Sequence, residues 1–200
     1  MILRMITATE IFGQRKLLLA SGSPRRRELL DSLGIKVEHA QLHDVDESYP
    51  ADMSPMKVPE YLSRLKSQAY RSELAGDEVL VTADTVVVLD GKVLGKPVDE
   101  VEAKAMLRSL SGRVHQVVTG VTLATSSSSV TFSEVTDVEF DTLSDSEIDY
   151  YVANFKPFDK AGAYGIQEWI GYVGVKGIRG DYYNVMGLPV NSLCRHLKSI

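Results

Sequence analysis

The sequence is poor in cysteine, in long hydrophobic runs and in excess positive charge. Its single cysteine, Cys194, excludes an internal disulfide framework and a cysteine-based zinc site, and it favours a reducing compartment. No apolar run approaches the roughly 20 residues that a membrane-spanning helix needs. The segment 1–16 lacks the hydrophobic stretch and the small-residue cleavage site of a signal peptide. We therefore expect a cytoplasmic protein that does not insert into membranes.

Charge and length limit the possible functions further. The 200 residues include 22 Lys and Arg against 27 Asp and Glu, which gives a formal net charge of −5. A broad basic surface for nucleic acid is therefore not expected, although a local cluster of cations can still bind a small anion. The length and the ordinary composition, 44% hydrophobic and 24% charged, predict one globular domain or one domain with a small lobe.

Apolar patterning predicts both strands and helices. Short apolar runs between turn-forming residues indicate strands, at 16–20, 35–42, 79–89, 92–94, 114–125 and 130–140. Apolar residues at helical spacing indicate helices, at 25–33, 60–74, 99–110, 145–154 and 190–198. Ser23 and Pro24 are suited to cap and start the first helix. Because strands and helices alternate irregularly and one hairpin is present, we expect an α/β or α+β fold with a mixed sheet.

The turn that precedes the first predicted helix is a candidate phosphate site. A strand ends there and a helix begins, so free backbone N–H groups and the positive end of the helix dipole meet. Two hydroxyls and two guanidinium groups lie within one helical turn, from Ser21, Ser23, Arg25 and Arg26. Guanidinium groups match phosphate oxygens, so the turn is suited to a polyphosphate. The alternative is a capped helix whose arginines face solvent.

Asp84 is a second candidate because it interrupts an otherwise apolar strand, where burying a carboxylate is costly. A buried Asp84 would be suited to act as a general base or as a metal ligand. Alternatively, the strand lies at the edge of the sheet and Asp84 faces water. Lys96 follows the hairpin and either folds back beside Asp84 or is an ordinary surface lysine.

Two further segments carry polar groups that are suited to binding. The acidic pair Asp46-Glu47 lies in a polar loop, where it either binds a ligand or is simply solvated. The segment 158–167 is rich in glycine and alanine, which allow close backbone approach. Within it, Tyr164 is suited to stack on a base. Gln167 offers a donor beside an acceptor, which matches O4 and N3–H of uracil or thymine.

Together and in this order, these segments resemble the Maf family, the septum-formation-inhibitor-like nucleoside triphosphate pyrophosphatases. The family's opening motif Ala-Ser-x-Ser-Pro-Arg-Arg-x-Glu-Leu-Leu stands here at 20–30. Shorter motifs follow in the family's order, as Asp46-Glu47, Arg64-Leu65-Lys66, Ala83-Asp84-Thr85, Gly95-Lys96-Pro97 and Leu110-Ser111-Gly112-Arg113-Val114-His115. The segment Asp-Lys-Ala-Gly-Ala-Tyr-Gly-Ile-Gln at 159–167 resembles the subgroup that acts on dTTP and UTP.

The resemblance covers the chain from about residue 16 to its end. It implies a Maf-like domain over residues 16–200, preceded by an N-terminal extension over residues 1–15. The implied fold is inosine-triphosphatase-like and α/β, with a long mixed sheet, flanking helices and two lobes around a cleft. The implied reaction converts dTTP, UTP or a modified pyrimidine nucleotide to its monophosphate and pyrophosphate, with Mg²⁺ or Mn²⁺. A homodimer is the family expectation.

The chemistry of the residues and the family resemblance lead to one hypothesis about the site. The residues predicted to bind the nucleoside triphosphate are Ser21, Ser23, Arg25, Arg26, Lys66, Thr85, Lys96, Lys160 and Gln167. The family's specificity positions fall on Arg26, Thr85 and Gln167. Glu47 and Asp84 are predicted to hold the metal, with Glu47 preferred over Asp46. Asp84 is also predicted to take the proton from the water that attacks the α-phosphorus. The alternative function is a non-catalytic, nucleotide-binding regulator of cell division.

Overall fold

One mixed sheet organises residues 15–200, the part of the chain that the computed structural model describes. Its strands are β1 Lys16–Leu19, β2 Val37–His39, β3 Glu78–Leu89, β4 Lys92–Leu94, β5 Val114–Ala124, β6 Ser129–Phe140 and β7 Val175–Arg179. The α-helices are α1 Pro24–Asp31, α2 Val58–Gln68, α3 Glu100–Leu110, α4 Asp145–Phe155, α5 Trp169–Gly174, α6 Tyr182–Val185 and α7 Val190–Leu197. The extension predicted for residues 1–15 lies outside the described residues, apart from residue 15.

The order of the strands decides where Asp84 lies. Within residues 15–200 the order is β2-β1-β3-β5-β6-β7, and β4 pairs with β3. β1 is parallel to β2 and β3, whereas the remaining pairs are antiparallel. At Asp84 β3 pairs with β5, whereas β1 pairs with it only at 78–81 and β4 only at 87–89. The Asp84 side chain is only 13% exposed, so the alternative in which it faces water is wrong. The register places Asp84 beside Gly120 and Thr85 beside Thr119.

The helices begin where the sequence provides caps. The Ser23 side chain accepts a hydrogen bond from the backbone N–H of Arg26, and Pro24 occupies the first position of α1, as predicted. Asp99 caps α3 in the same way. Ser144 and Glu147 form a reciprocal capping box at the start of α4.

Helix α2 crosses the sheet directly over Gly120. A Cβ atom at Gly120 would lie 2.2 Å from the carbonyl carbon of Pro59 and 2.4 Å from the backbone nitrogen of Glu60. Only glycine allows this approach of the helix to β5, because every other residue would place a carbon atom inside the α2 backbone. Lys66 lies two turns further along the same helix, so this contact also sets where Lys66 meets the sheet.

Buried apolar side chains form two main clusters, which correspond to the two predicted lobes. One cluster joins β5 and β6 to α3, α4 and α5. The other joins β1, β3 and β5 to α1 and α7. Val87 of the first cluster and Ala83 of the second both reach the wall of one cleft. The α/β class, with a long mixed sheet and flanking helices, is confirmed.

Some predicted boundaries were wrong. The strand predicted at 35–42 is only Val37–His39, and the helix predicted at 60–74 ends at Gln68 and is followed by a 3-10 turn, Arg71–Glu73. Strand β7 was not predicted, because its pairing with β6 outweighs a weak, glycine-containing local pattern. Cys194, interpreted from its apolar surroundings as a core thiol, is only partly buried.

No helix within residues 15–200 has both the length and the apolar character needed to span a bilayer.

Candidate active site

A cleft of about 570 Å³ opens between the two lobes. Every residue that the sequence predicted for the site lines this cleft, namely Ser21, Ser23, Arg25, Arg26, Glu47, Lys66, Asp84, Thr85, Lys96, Lys160 and Gln167. They come from the start of α1, the loop before α2, α2 itself, β3, the segment after β4 and the segment between α4 and α5. The tertiary structure thus gathers residues that are far apart in sequence.

Two serine side chains stabilise the turn before α1. Ser21 Oγ accepts from the backbone N–H of Ser23 at 3.2 Å, and Ser23 Oγ accepts from the backbone N–H of Arg26 at 3.4 Å. These bonds hold the turn in place at the N-terminus of an eight-residue helix. Such a terminus attracts anions through its free N–H groups and its dipole.

Arg26 is fixed by three hydrogen bonds. Its Nε donates to the carbonyl of Gly187 at 2.8 Å, its Nη1 to Ser21 Oγ at 3.3 Å and its Nη2 to Thr85 Oγ1 at 2.9 Å. Burial lowers the pKa of Arg26, and the nearby Asp84 carboxylate acts in the opposite direction. Because arginine stays protonated even so, Arg26 places a fixed positive charge on the wall of the cleft.

Arg25 spans the cleft to an ion-pair network on the opposite lobe. Its Nη1 lies 2.9 Å from Asp159 Oδ2, and Lys160 Nζ lies 2.7 Å from Asp159 Oδ1 and 3.0 Å from Glu168 Oε1. Burial raises the pKa of Asp159, but hydrogen bonds from Lys160 and Arg25 outweigh it and leave the pKa below its ordinary value. Asp159 is therefore ionised, and it holds the side chains of Arg25 and Lys160 in place when no ligand is bound.

Lys66 joins the two carboxylates that were predicted to hold the metal. Its Nζ lies 2.8 Å from Asp84 Oδ1 and 2.9 Å from Glu47 Oε2. The side chains of Lys66 and Asp84 are largely buried, whereas that of Glu47 is half exposed. One ammonium thus holds two carboxylates close together, and both carboxylates line the cleft.

The loop before α2 distinguishes its two acidic residues. Asp46 accepts hydrogen bonds from the backbone N–H and the hydroxyl of Ser48, at 3.0 Å and 3.1 Å, so it serves its own loop. Glu47 lines the cleft and contacts Lys66. Of the two neighbours, Glu47 is thus the one placed to bind a ligand.

The donor set fits a divalent cation that binds together with its substrate. Within residues 15–200 no group of three or more His, Cys, Asp or Glu side chains is arranged to hold a metal. Mg²⁺ is commonly bound by one or two carboxylates, substrate phosphates and waters. Glu47 and Asp84 provide two such carboxylates. Phosphate oxygens of a bound substrate and water molecules would provide the remaining ligands.

Gln167 lines the cleft and carries an unsatisfied acceptor. Its Oε1 is buried and has no hydrogen-bond partner among the described residues. A buried acceptor without a partner is destabilising, so the site favours a ligand that carries a matching donor.

The backbone N–H of Gly162 donates to the carbonyl of Gly95 at 3.0 Å, which joins the segments that carry Lys96 and Lys160.

A neutral pair lies beneath the cleft. His115 Nε2 lies 2.7 Å from the hydroxyl of Tyr164, whose ring lines the cleft. Burial lowers the pKa of His115 to about 4 and raises the pKa of Tyr164. The imidazole is therefore uncharged at neutral pH, and it supports the wall of the cleft without adding charge.

Sequence reasoning assigned no role to several residues that the structure places against the site. Glu168 contacts Lys160 and accepts from the hydroxyl of Tyr151. Thr119 lies behind Thr85, with their Oγ1 atoms 2.9 Å apart. The signal for Thr119 resembles the one used for Asp84, since both are polar residues within apolar strands. Which strands are neighbours, however, is not apparent from local sequence.

The fold and the site together define an α/β protein with a cation-lined cleft suited to a polyanionic ligand. A family model described as Maf-like protein matches residues 16–200. The chain therefore belongs to the Maf-like family, as its motifs predicted.

Named relatives and a solved structure resemble the chain over most of its length. It is 56% identical to the dTTP/UTP pyrophosphatase of Bacteroides thetaiotaomicron over 185 residues, which cover 92% of this chain and 96% of that protein. It is 54% identical, over the same shares of both chains, to the dTTP/UTP pyrophosphatase of Phocaeicola vulgatus. A crystal structure of a nucleoside-triphosphatase / dITP/XTP pyrophosphatase from Mycobacterium abscessus aligns with a TM-score of 0.43 and 19% identity, over 92% of this chain and 97% of that one.

Proposed function

We propose that this protein is a nucleoside triphosphate pyrophosphatase that converts dTTP and UTP to the monophosphate and pyrophosphate. The observation that carries the proposal is the cleft, which is lined both by the cations of Arg25, Arg26, Lys66 and Lys96 and by the carboxylates of Glu47 and Asp84. Such cations neutralise a triphosphate, and a carboxylate can act as the general base in its hydrolysis. Family membership and the names of the relatives at 56% and 54% identity support the same activity.

In the proposed complex the triphosphate lies along the turn before α1. The hydroxyls of Ser21 and Ser23 donate to its oxygens, and Arg25 and Arg26 neutralise its charge. Arg25 exchanges its contact with Asp159 for a phosphate oxygen. Lys96 and Lys160 add positive charge from the facing segments.

Glu47 and Asp84 would hold Mg²⁺ or Mn²⁺ against the phosphates. When bound, the cation neutralises charge that develops on the phosphate oxygens. The two carboxylates orient around it, and Lys66 keeps both close together when no nucleotide is bound. The half-exposed side chain of Glu47 has room to turn toward a bound cation.

Asp84 is the proposed general base. It takes a proton from a water molecule whose oxygen attacks the α-phosphorus, and the bond from the α-phosphorus to the oxygen that bridges to the β-phosphorus breaks. The products are the nucleoside monophosphate and pyrophosphate. A positioned base typically contributes about 10²–10⁴-fold to the rate, and positioning and charge neutralisation contribute much of the remainder.

Arg26, Thr85 and Gln167 are proposed to select the base. The buried Oε1 of Gln167 provides an acceptor, and its amide nitrogen provides a donor, so one side chain matches O4 and N3–H of uracil or thymine. A modified pyrimidine that keeps this edge would be accepted as well. We further propose that residues 16–200 act as one domain, in the cytoplasm and as a homodimer, without binding nucleic acid.

A panel of nucleoside triphosphates with Mg²⁺ tests the proposal, with pyrophosphate and monophosphate both quantified. We expect equimolar release of both products, fastest from dTTP and UTP, and no release when EDTA removes the metal. Size-exclusion chromatography with light scattering tests the dimer. If no triphosphate is hydrolysed although nucleotides bind, the protein is instead the non-catalytic regulator.

A further inference from the structure

A chain of hydroxyl groups runs from the cleft into the interior of the sheet. Arg26 Nη2 donates to Thr85 Oγ1 at 2.9 Å, and Thr85 Oγ1 lies 2.9 Å from Thr119 Oγ1. Thr119 Oγ1 in turn donates to the carbonyl of Asn184 at 3.1 Å. Thr119 is fully buried and does not line the cleft, so it acts on a ligand only through Thr85.

The number of available protons determines which hydroxyl donates and which accepts in each of these hydrogen bonds. Each threonine hydroxyl has one proton to donate and two lone pairs that accept. If Thr119 donates to the carbonyl of Asn184, then Thr85 is the donor in the contact between the two hydroxyls. The reverse direction would leave the Thr85 proton only the carbonyl of Gly187, at 3.4 Å, which is the longer and weaker contact.

The direction determines what Thr85 offers to a ligand. Its proton is used toward Thr119, and one lone pair accepts from Arg26. The remaining lone pair is an acceptor, and Thr85 faces the cleft. A ligand atom beside Thr85 must therefore be a hydrogen-bond donor.

We infer that Thr119 is a positioning residue for base selection: it holds the Thr85 hydroxyl as an acceptor and thereby favours a base that carries a donor at N3. Uracil and thymine carry N3–H, a proton that Thr85 Oγ1 shares with Gln167 Oε1 in this arrangement, whereas cytosine carries an unprotonated N3 that only accepts. This inference rests on the proposed function, since it assumes that the base of a nucleotide reaches Thr85. Thr119 is thus a residue outside the cleft that influences the choice between uracil and cytosine.

The last group in this series of hydrogen bonds, the carbonyl of Asn184, is held rigidly, as a positioning role requires. Asn184 is fully buried, and its side-chain Nδ2 donates to the carbonyl of Val117 at 3.0 Å and to Thr136 Oγ1 at 2.9 Å. These bonds tie α6 to β5 and β6. The carbonyl that receives the Thr119 proton is therefore held by two strands of the sheet.

Thr122 supplies a matched control on the same strand. Like Thr119 it is buried, and its hydroxyl also contacts two other hydroxyls, those of Ser63 at 3.0 Å and Thr131 at 2.9 Å. None of these three residues lines the cleft. Thr122→Val therefore removes a comparable set of hydrogen bonds from β5 without changing Thr85.

The test compares dissociation constants for non-hydrolysable UTP and CTP analogues, in which an imido group replaces the oxygen between the α- and β-phosphates. In Thr119→Val the Thr85 proton becomes available to cytosine, so we expect the preference for the UTP analogue to fall about tenfold, the size of one net hydrogen bond. Thr119→Ser restores the preference, and Thr122→Val keeps it. If Thr119→Val does not fold, Thr119→Ala provides the same comparison.

The outcomes separate this inference from the proposed activity, because binding is measured without turnover. An unchanged preference in the folded Thr119 variants overturns the inference, as does an equal loss in Thr122→Val. Equal binding of the two analogues by the unmodified protein also overturns it. Failure of the unmodified protein to release pyrophosphate from UTP, by contrast, overturns the proposed activity and leaves the binding comparison intact.

Discussion

The ammonium of Lys66 on α2 lies 2.8 Å from a carboxylate oxygen of Asp84 on β3. The contact joins a helix to the middle of the sheet, and it explains how a carboxylate is accommodated in an apolar strand, since a buried charge needs a partner. A second carboxylate, Glu47, shares the same ammonium at 2.9 Å. The arrangement holds the Asp84 carboxylate at the wall of the cleft, as its proposed role as general base requires.

Replacing Asp84 tests this role. Asp84→Asn keeps the size of the side chain and an oxygen that accepts from Lys66, but it removes the base. We expect the rate of pyrophosphate release from UTP to fall by at least about 10²-fold, while a non-hydrolysable UTP analogue still binds. Steady-state kinetics and calorimetric titration measure the two quantities.

The neighbouring loop offers the control for this substitution. Asp46→Asn removes a carboxylate that accepts hydrogen bonds from Ser48 of its own loop and does not line the cleft, so activity is expected to stay near that of the unmodified protein. Retained turnover in Asp84→Asn would show that another group takes the proton.

Gln167→Ala removes the unsatisfied acceptor from the cleft. We expect the ratio of kcat/KM for UTP over GTP to fall about tenfold, because the pyrimidine loses a matched hydrogen bond whereas the purine loses none. Gln116→Ala is the control, since Gln116 bonds to Asp137 and does not line the cleft. An unchanged substrate profile for Gln167→Ala would place the base elsewhere.

His115 makes stability depend on pH. Burial lowers its pKa to about 4 in the folded protein, whereas an unfolded histidine titrates near 6.5. Between these values the unfolded chain binds a proton that the folded protein does not, so the free energy of unfolding decreases as pH falls. The loss amounts to about 3 kcal/mol between pH 6.5 and 4. Urea titrations at pH 7 and pH 4.5 measure most of it.

Substitution identifies the group responsible. His115→Gln removes the titrating imidazole, so its stability should differ less between the two pH values than that of the unmodified protein. His39→Gln retains His115 and should therefore retain the loss. The same loss in His115→Gln would assign it to other residues.

Gly120→Ala tests the contact between α2 and the sheet. The added Cβ would lie 2.2 Å from the carbonyl carbon of Pro59, so the helix must shift and carry Lys66 away from Asp84. We expect a loss of about 1–3 kcal/mol in the free energy of unfolding and slower hydrolysis of UTP. Denaturant unfolding and kinetics measure the two effects.

Gly76→Ala is the matched control, because no atom lies within 4 Å of the added carbon. Its stability should remain within about 0.5 kcal/mol of that of the unmodified protein. Equal behaviour of the two alanine variants would contradict the role assigned to Gly120.

Local features of the chain were predictable because they depend on neighbouring residues. Ser23 and Pro24 mark the start of α1 by their own chemistry, and the β-branched runs mark β3, β5 and β6. The motifs around Arg26, Asp84 and Gln167 also indicated which residues would share a site, through resemblance to a family. The short elements β7, α5 and α6 were missed, because their local patterns are weak.

By itself, the sequence determined the long secondary-structure elements, the family and the set of candidate residues. Only the tertiary structure decided that β3 is an interior strand, that Lys66 is the partner of Asp84, and that Thr119 lies behind Thr85. The physical reason is that these contacts join residues far apart in the chain. They depend on strand order, on register and on the crossing of α2 over Gly120, none of which a local pattern encodes.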